Sequence, residues 1–128
     1  MQACRIEIAT TADDQRTEFI KDGYCELSLQ SATLRYDENG ARVTLALENG
    51  VVTIRRTGDY SLSLVLKRNE VCAGTLGING YEGSVQTKTT KLAYSLSEKS
   101  FLLSLHYALI IGAETQNMKL RIFVKVNT

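Results

Sequence analysis

Residue types that build catalytic, metal-binding and redox sites are scarce in this chain of 128 residues. Histidine occurs once, as His106, and a histidine-based metal site needs several ligands, so no metal site is expected. The cysteines Cys4, Cys25 and Cys72 form no Cys-x-x-Cys pair and lack the spacing of zinc ligands. We therefore expect three reduced thiols in a cytoplasmic protein that carries no cofactor.

Long apolar runs and an excess of one charge are also lacking. No run reaches the ~20 apolar residues of a membrane-spanning helix, and the N-terminus lacks the basic and apolar regions of a signal peptide. The chain has 15 Lys and Arg residues and 14 Asp and Glu residues, a formal net charge of +1. Nucleic-acid binders usually carry a basic excess. We therefore expect neither a membrane nor a nucleic acid as partner, although a balanced total does not exclude a local basic patch.

Proline and tryptophan are absent, whereas nine glycines and many β-branched residues indicate strands joined by tight turns. Apolar and polar residues alternate with a period of two in most segments, and no segment has a clear helical period. Asn39-Gly40, Asn49-Gly50 and Asn79-Gly80 predict tight turns, because a type I′ turn needs a positive φ at both central residues.

Two long segments depart from simple alternation. Residues 16–29 are predicted to form one strand with a bend or bulge at Gly23. Residues 84–96 change phase, so that the apolar positions before and after Thr90 differ in parity. A phase change inside a strand predicts a β-bulge near Thr90, or a strand that passes between two environments.

These segments amount to about ten strands in one domain, residues 1–128. A flat sheet of that size would expose two unpaired edges, which favour aggregation, and closure removes them. We therefore predict an all-β fold, a single closed antiparallel β-barrel of about 8–10 strands in an up-and-down meander. Barrels of this size are either packed solid or hold one small ligand.

The order and spacing of four short motifs give a resemblance that covers nearly the whole chain. They are Leu34-Arg35-Tyr36, Arg56-Thr57-Gly58, Ser61-Leu62-Ser63-Leu64 and Thr87-Lys88-Thr89-Thr90-Lys91-Leu92. In this respect the sequence resembles the YwiB-like proteins, bacterial cytosolic domains of unknown function. The resemblance implies a calycin-like (lipocalin-like) barrel and no particular activity.

Arg56, Tyr60, Thr87 and Thr89 are the candidate ligand-binding residues. Arg56 has the parity of the core-facing positions and lies near a strand end, where its guanidinium can bind a carboxylate or phosphate at the barrel mouth. The favoured alternative is that Arg56 forms an internal ion pair or is a hydrogen-bond anchor for neighbouring turns. Tyr60 is either pocket wall or core filling. The two threonines either add hydroxyls to the pocket wall or reflect β-propensity alone.

Two functions follow from this reading. The first is a binding module that holds a small anionic or amphipathic ligand inside the barrel. The alternative is a structural or protein-interaction module, with a homodimer as its simplest form, in which Leu102 and Ile110 belong to an exposed outer patch. We do not expect an enzyme, because His106 has no partner pattern and is best explained as an outward-facing sheet residue.

Overall fold

The computed structural model describes residues 1–127, and these form ten β-strands without a helix. In chain order they are β1 (Gln2–Ala12), β2 (Gln15–Leu27), β3 (Ser31–Glu38), β4 (Ala41–Glu48), β5 (Val51–Thr57), β6 (Tyr60–Lys67), β7 (Val71–Ile78), β8 (Tyr81–Leu96), β9 (Ser100–Ile111) and β10 (Glu114–Val126). Each strand pairs antiparallel with its neighbours in sequence, and β1 pairs with β10 to close a barrel. The predicted meander barrel is confirmed. Within this part of the chain, no helix is long and apolar enough to cross a membrane.

The tight turns have the backbone geometry that their sequences predict. Both residues of Asn39-Gly40 have positive φ, at 49° and 80°, as do those of Asn49-Gly50, at 53° and 74°, and Asn79-Gly80, at 52° and 82°. Asparagine and glycine tolerate this left-handed conformation, which matches the twist of a hairpin. These turns therefore determine the register of three of the hairpins.

The predicted bulge in the long eighth strand is also present. The register between β8 and β9 shifts between Thr89, which lies opposite Tyr107, and Lys91, which lies opposite His106. The extra residue, Thr90, places Thr89 and Leu92 on the same inner face although their parities differ. Their side chains are 0% and 5% exposed. The bulge thus keeps the core continuous along the full length of β8.

Strand lengths divide the barrel wall into two parts. Strands β3 to β7 have 7 or 8 residues each, whereas β1, β2, β8, β9 and β10 have 11 to 16. Strand β2 pairs with β3 only from Tyr24 to Leu27, so its first half pairs with β1 alone. Gly23 lies where the two strands meet, and a Cβ there would be 2.5 Å from the Arg35 carbonyl oxygen. From Gln15 to Gly23, β2 has no pairing with β3, and we call this unpaired part of the wall the seam between β2 and β3.

The two ends of the barrel differ in how well the interior is closed. We call the end with the β1–β2, β3–β4, β5–β6, β7–β8 and β9–β10 turns the open end, and the opposite end the closed end. Five inward-facing side chains near the closed end are at most 1% exposed: Cys4, Cys25, Leu47, Phe101 and Val124. Leu27 and Leu96 at the same end are partly buried, and Tyr94, which lies opposite Leu103, is 47% exposed. Toward the open end, inward-facing apolar side chains are only partly buried: Phe19, Tyr36, Ile54, Leu62, Leu76, Met118 and Leu120. Solvent therefore contacts more inward-facing apolar side chains at the open end than at the closed end.

Candidate functional site

Arg56 is an inward-facing residue near the end of β5, and its side chain is 16% exposed. Its Nη2 donates a hydrogen bond to Asp59 Oδ1 at 2.9 Å, and its Nη1 donates to the Tyr60 carbonyl oxygen at 2.8 Å. The guanidinium carbon also lies 3.7 Å from the centroid of the Tyr60 ring. The hydrogen bond from Arg56 lowers the pKa of Asp59. Arg56 therefore anchors the β5–β6 turn, which was one of the two interpretations that the sequence left open.

Tyr60 lies at the rim of the open end, where its side chain is 37% exposed. Tyr107 has the same inward parity but is 8% exposed, because it lies in the middle of the wall opposite Thr89. Tyr60 is the first residue of β6, so no further layer of side chains covers it. Core filling is thus the role of Tyr107 and not of Tyr60, whose ring face is covered by Arg56.

Thr87 and Thr89 lie on the inner face of β8, and both are 0% exposed. Thr87 Oγ1 donates a hydrogen bond to the Val65 carbonyl oxygen at 2.6 Å. That carbonyl lies beyond the paired part of β6 and β7, which ends at Ser63 opposite Thr75. Thr87 thus joins β6 to β8 where β7 diverges from β6. The Thr89 hydroxyl has no hydrogen-bond partner among residues 1–127.

The four candidate residues form two pairs and not one cluster. Arg56 and Tyr60 contact each other at the rim, whereas Thr87 and Thr89 lie deep in the wall on β8. No hydrogen bond joins the two pairs within the described chain. A ligand that contacts both pairs would have to extend from the rim into the interior.

A second cation, Lys21, was not anticipated from the sequence. Lys21 lies opposite Ile6, which is 0% exposed, and residues directly opposite in an antiparallel pair share a face, so Lys21 faces inward. Its Nζ is 5.7 Å from the centroid of the Phe19 ring, and that ring is 6.3 Å from the ring of Tyr36 at an interplanar angle of 59°. No carboxylate lies within 4.0 Å of Lys21 in residues 1–127. The spacing of Phe19, Lys21 and Cys25 was the sequence signal for this inward face.

Lys21, Phe19 and Tyr36 line the interior beside the seam between β2 and β3. Burial raises the pKa of Tyr36, and the nearby Glu38 raises it further, so the phenol is neutral at physiological pH. This group offers one unpaired cation, one neutral hydroxyl and two aromatic rings. Such a set can bind the charged end of an amphipathic anion while its apolar part contacts the core.

His106 lies on the outer face of the barrel, as predicted. It is opposite Lys91 on β8 and Lys119 on β10. Partial burial lowers its pKa, and the two lysines lower it further, so the imidazole is neutral at physiological pH. Within the described residues, no group of three or more His, Cys, Asp or Glu side chains is arranged to hold a metal ion.

A groove of about 810 Å³ lies on the outer face of β1, β2, β9 and β10. We call it the outer groove. Its apolar side chains include Ile20, Leu102 and Phe123, and its charged side chains are Glu7, Arg16, Glu18 and Arg121. Leu102 is half-buried there, whereas Ile110, the other residue of the predicted outer patch, does not line the groove. None of the four candidate ligand-binding residues lines it either.

Comparison with known proteins places the chain in a family. A family model described as a domain of unknown function, DUF1934, matches residues 3–122. The chain belongs to the DUF1934 family. No curated protein matches it.

The DUF1934 barrel also has a similar solved structure, the crystal structure of the ywiB protein from Bacillus subtilis. The TM-score is 0.84, and the match covers 99% of this chain and 93% of that one at 15% sequence identity. At this identity the likeness shows the fold alone, and it confirms the calycin-like barrel that the YwiB-like motifs implied. The family carries no established function, so function has to be argued from the site.

Proposed function

We propose that this barrel binds a small amphipathic ligand with an anionic head group, which enters through the open end. The observation that carries the proposal is the difference in burial between the two ends. More of the inward-facing apolar side chains are partly exposed toward the open end than at the closed end, where Leu27, Tyr94 and Leu96 are the exposed or partly buried ones. When a ligand covers an apolar wall that is in contact with solvent, the free energy of the system falls by about 25 cal/mol per Å² of apolar area buried.

The two inward-facing cations suit the anionic head group. Lys21 has no carboxylate partner within residues 1–127, and its Nζ lies 5.7 Å from the centroid of the Phe19 ring. Arg56 is already bound to Asp59 and to a backbone carbonyl, so it offers less free hydrogen-bonding capacity. We therefore assign the main head-group contact to Lys21, and we assign Arg56 and Tyr60 to the rim.

The threonines of β8 are fully buried polar groups on the inner face of the barrel. The Thr87 hydroxyl donates a hydrogen bond to the Val65 carbonyl oxygen, whereas the Thr89 hydroxyl has no hydrogen-bond partner in the described chain. Buried hydroxyls are normally hydrogen-bonded. A ligand oxygen or a water molecule beside Thr89 would satisfy this one.

Two further observations bear on the setting of this function. Cys4, Cys25 and Cys72 are free thiols, which suits a reducing compartment, so we place the binding in the cytoplasm. His106 lies on the outer face and away from the proposed pocket, which supports binding without catalysis.

Titration calorimetry with dodecanoate tests the proposal, because this anion has the expected head group and apolar chain. We expect saturable binding at one site, and we expect Lys21→Met to weaken it about tenfold, since the variant keeps the stem and loses the charge. Lys67→Met, which removes an exposed cation from the other side of the barrel, is the matched control. Native mass spectrometry of protein from its host would reveal a retained ligand by its added mass. Absence of dodecanoate binding, or equal weakening in both variants, would refute the proposal.

A homodimer is the second candidate, and the outer groove favours it. Ile20 is 57% exposed and Phe123 is 36% exposed, which is unusual for large apolar residues in the middle of a sheet face. Arg16 and Arg121 with Glu7 and Glu18 provide both signs of charge, so a two-fold axis could place opposite charges together. Size-exclusion chromatography with light scattering tests this. A dimer that Ile20→Asp converts to a monomer would support it, and a wild-type monomer at micromolar concentration would contradict it.

A further inference from the structure

Charge is segregated on the outer face of the barrel in a way that the net charge of +1 conceals. Where β8, β9 and β10 pair with one another, every charged outward-facing residue is basic. These residues are Lys88, Lys91, Lys119, Arg121 and Lys125. We call this set the basic strip. Acidic residues lie at its borders: Glu7 on β1, Asp13 in the β1–β2 turn, Glu82 near the start of β8, Glu98 in the β8–β9 turn and Glu114 at the start of β10.

The cations of the basic strip are exposed and available. All five side chains are classed as exposed, and none has a carboxylate within 4.0 Å in residues 1–127. By contrast, the outward-facing Arg5 and Arg16 on the adjoining strands each have a carboxylate partner, Glu7 and Glu18. None of the five cations therefore forms an ion pair, and Glu7, opposite Phe123, is the border carboxylate nearest to Arg121 and Lys125 along β10.

The register gives the strip its shape. Lys91 and Lys119 lie on either side of His106 in one row across three strands. With strands about 4.8 Å apart, this row is about 10 Å wide. Lys119, Arg121 and Lys125 face outward along β10, over about 20 Å at about 3.4 Å per residue. The strip is thus long and narrow.

An exposed aromatic ring interrupts the cations along β10. Phe123 lies between Arg121 and Lys125, with Leu102 opposite it on β9. Its side chain is 36% exposed. Its neighbours across the sheet leave the ring at the edge of the outer groove.

We propose that the basic strip binds single-stranded nucleic acid, with phosphates on the lysines and arginine and a base stacked on Phe123. A cationic track with an aromatic platform is what sequence-tolerant binding of a single strand requires. The narrow shape fits one flexible strand. An anionic bilayer is the less suitable partner, because it favours exposed apolar residues beside the cations. Ile20 and Phe123 are exposed beside the strip, but they line the outer groove and do not form a protruding apolar surface. The most exposed apolar residues, Leu29 and Tyr81, lie at opposite ends of the barrel.

This inference differs from the expectation that the balanced composition suggested. A net charge is a sum over the whole molecule, whereas a phosphate group interacts mainly with charges within about 10 Å, the screening length at moderate salt. Five cations without an anion between them form such a local field even in a nearly neutral chain. The inference is independent of the proposed interior pocket, which faces the other side of the wall.

Fluorescence anisotropy with labelled oligothymidylate and oligouridylate of about 15 nucleotides tests the proposal. We expect the logarithm of the association constant to fall against the logarithm of the salt concentration with a slope of about −2 to −3.5, for about three to five phosphate contacts. Between 50 and 200 mM salt this slope corresponds to a loss of about 20- to 130-fold. Binding that is absent, or that does not depend on salt, would refute the proposal.

Variants with equal charge change identify the surface. The double variant Lys91→Glu with Lys119→Glu should abolish binding, whereas Arg55→Glu with Lys67→Glu, on the opposite wall, should leave it within about twofold. Phe123→Ala should weaken binding about 5- to 150-fold through lost stacking. Circular dichroism of each variant establishes that it is folded. Equal losses in both double variants would show nonspecific attraction and overturn the proposal.

The same experiments distinguish two other partners, an anionic membrane and a second copy of this chain. If vesicles of anionic phosphatidylglycerol bind through the same lysines and the oligonucleotides do not, the strip is a membrane-contact surface and the proposal is wrong. The outer groove shares Arg121 and Phe123 with the strip. If light scattering shows a dimer that Phe123→Ala dissociates, and oligonucleotides do not bind, the face is an interface between two copies and the proposal is again wrong.

Discussion

Replacing the Thr89 hydroxyl should stabilise the protein, although Thr89 is a fully buried residue. Thr89 Oγ1 has no hydrogen-bond partner within residues 1–127, and its side chain is 0% exposed. Burial of an unpaired hydroxyl costs about 1–3 kcal/mol in protein mutational data. Thr89→Val keeps the shape and removes the hydroxyl, so the free energy of unfolding should rise by about 1–3 kcal/mol.

Thr87→Val is the matched comparison, because Thr87 lies two residues earlier on the same inner face. Its hydroxyl donates to the Val65 carbonyl oxygen at 2.6 Å, and Thr87 is also 0% exposed. The same substitution there leaves a carbonyl without its side-chain donor, which costs about 1–3 kcal/mol. The two variants should therefore differ by about 2–6 kcal/mol, with opposite signs relative to wild type.

Urea denaturation followed by circular dichroism gives both free energies, provided that the slope with denaturant is unchanged. Thermal melts should show a higher Tm for Thr89→Val and a lower one for Thr87→Val, by about 4 °C per kcal/mol for a domain of this size. If Thr89→Val is destabilised as much as Thr87→Val, then the Thr89 hydroxyl has a partner, such as an interior water molecule, and the reasoning fails. Dodecanoate titration of Thr89→Val would then show whether that partner competes with a ligand.

Three further predictions concern packing, charge and thiol reactivity. Gly74→Ala should destabilise the barrel by about 2 kcal/mol or more, because a Cβ there would collide with a carbonyl oxygen of β6. Gly83→Ala is the control and should be tolerated, because a Cβ there meets only one atom, at 4.0 Å. Equal melting temperatures of the two variants would contradict this prediction. The pKa of His106, measured by NMR titration of the single imidazole, should lie below 6.5 and rise in Lys119→Ala, because one of the charges that lower it is removed; an unchanged pKa would contradict it. Burial raises the pKa of the Cys4 thiol to about 12, so this thiol should react with maleimide at pH 8 only after unfolding; rapid modification of the native protein at Cys4 would contradict that.

Local sequence patterns were sufficient for the strands, the Asn-Gly turns and the bulge at Thr90. Of the bend or bulge predicted at Gly23, a bulge is absent, because the register of β1 and β2 runs unbroken through this residue. Asn39-Gly40 and the other two Asn-Gly pairs predict hairpins because few residues accept two consecutive positive φ angles. The change of phase at Thr90 predicts the bulge because side chains alternate strictly along a strand. The barrel followed from these strands by a global argument, the need to remove sheet edges, which the pairing of β1 with β10 confirms.

The candidate site was predictable only in part. The sequence identified Arg56 and its inward parity, but its partner Asp59 became evident only from the geometry of the β5–β6 turn. Lys21 was missed because a charged residue in an alternating strand is normally taken as outward-facing, and its true direction depends on the register with Ile6. The unpaired state of the Thr89 hydroxyl depends on every neighbouring side chain, so no local pattern reveals it.

The sequence alone thus determined the class of fold and the positions of its strands, because period-two alternation and turn chemistry are properties of neighbouring residues. Only the tertiary structure decided that inward-facing apolar side chains are more exposed toward the open end than at the closed end, since burial depends on which side chains meet across the barrel. It also decided that the cations of β8 and β10 form one strip on the same face. Closure brings together side chains that are far apart in the chain, and a sum over the composition cannot show which charges become neighbours.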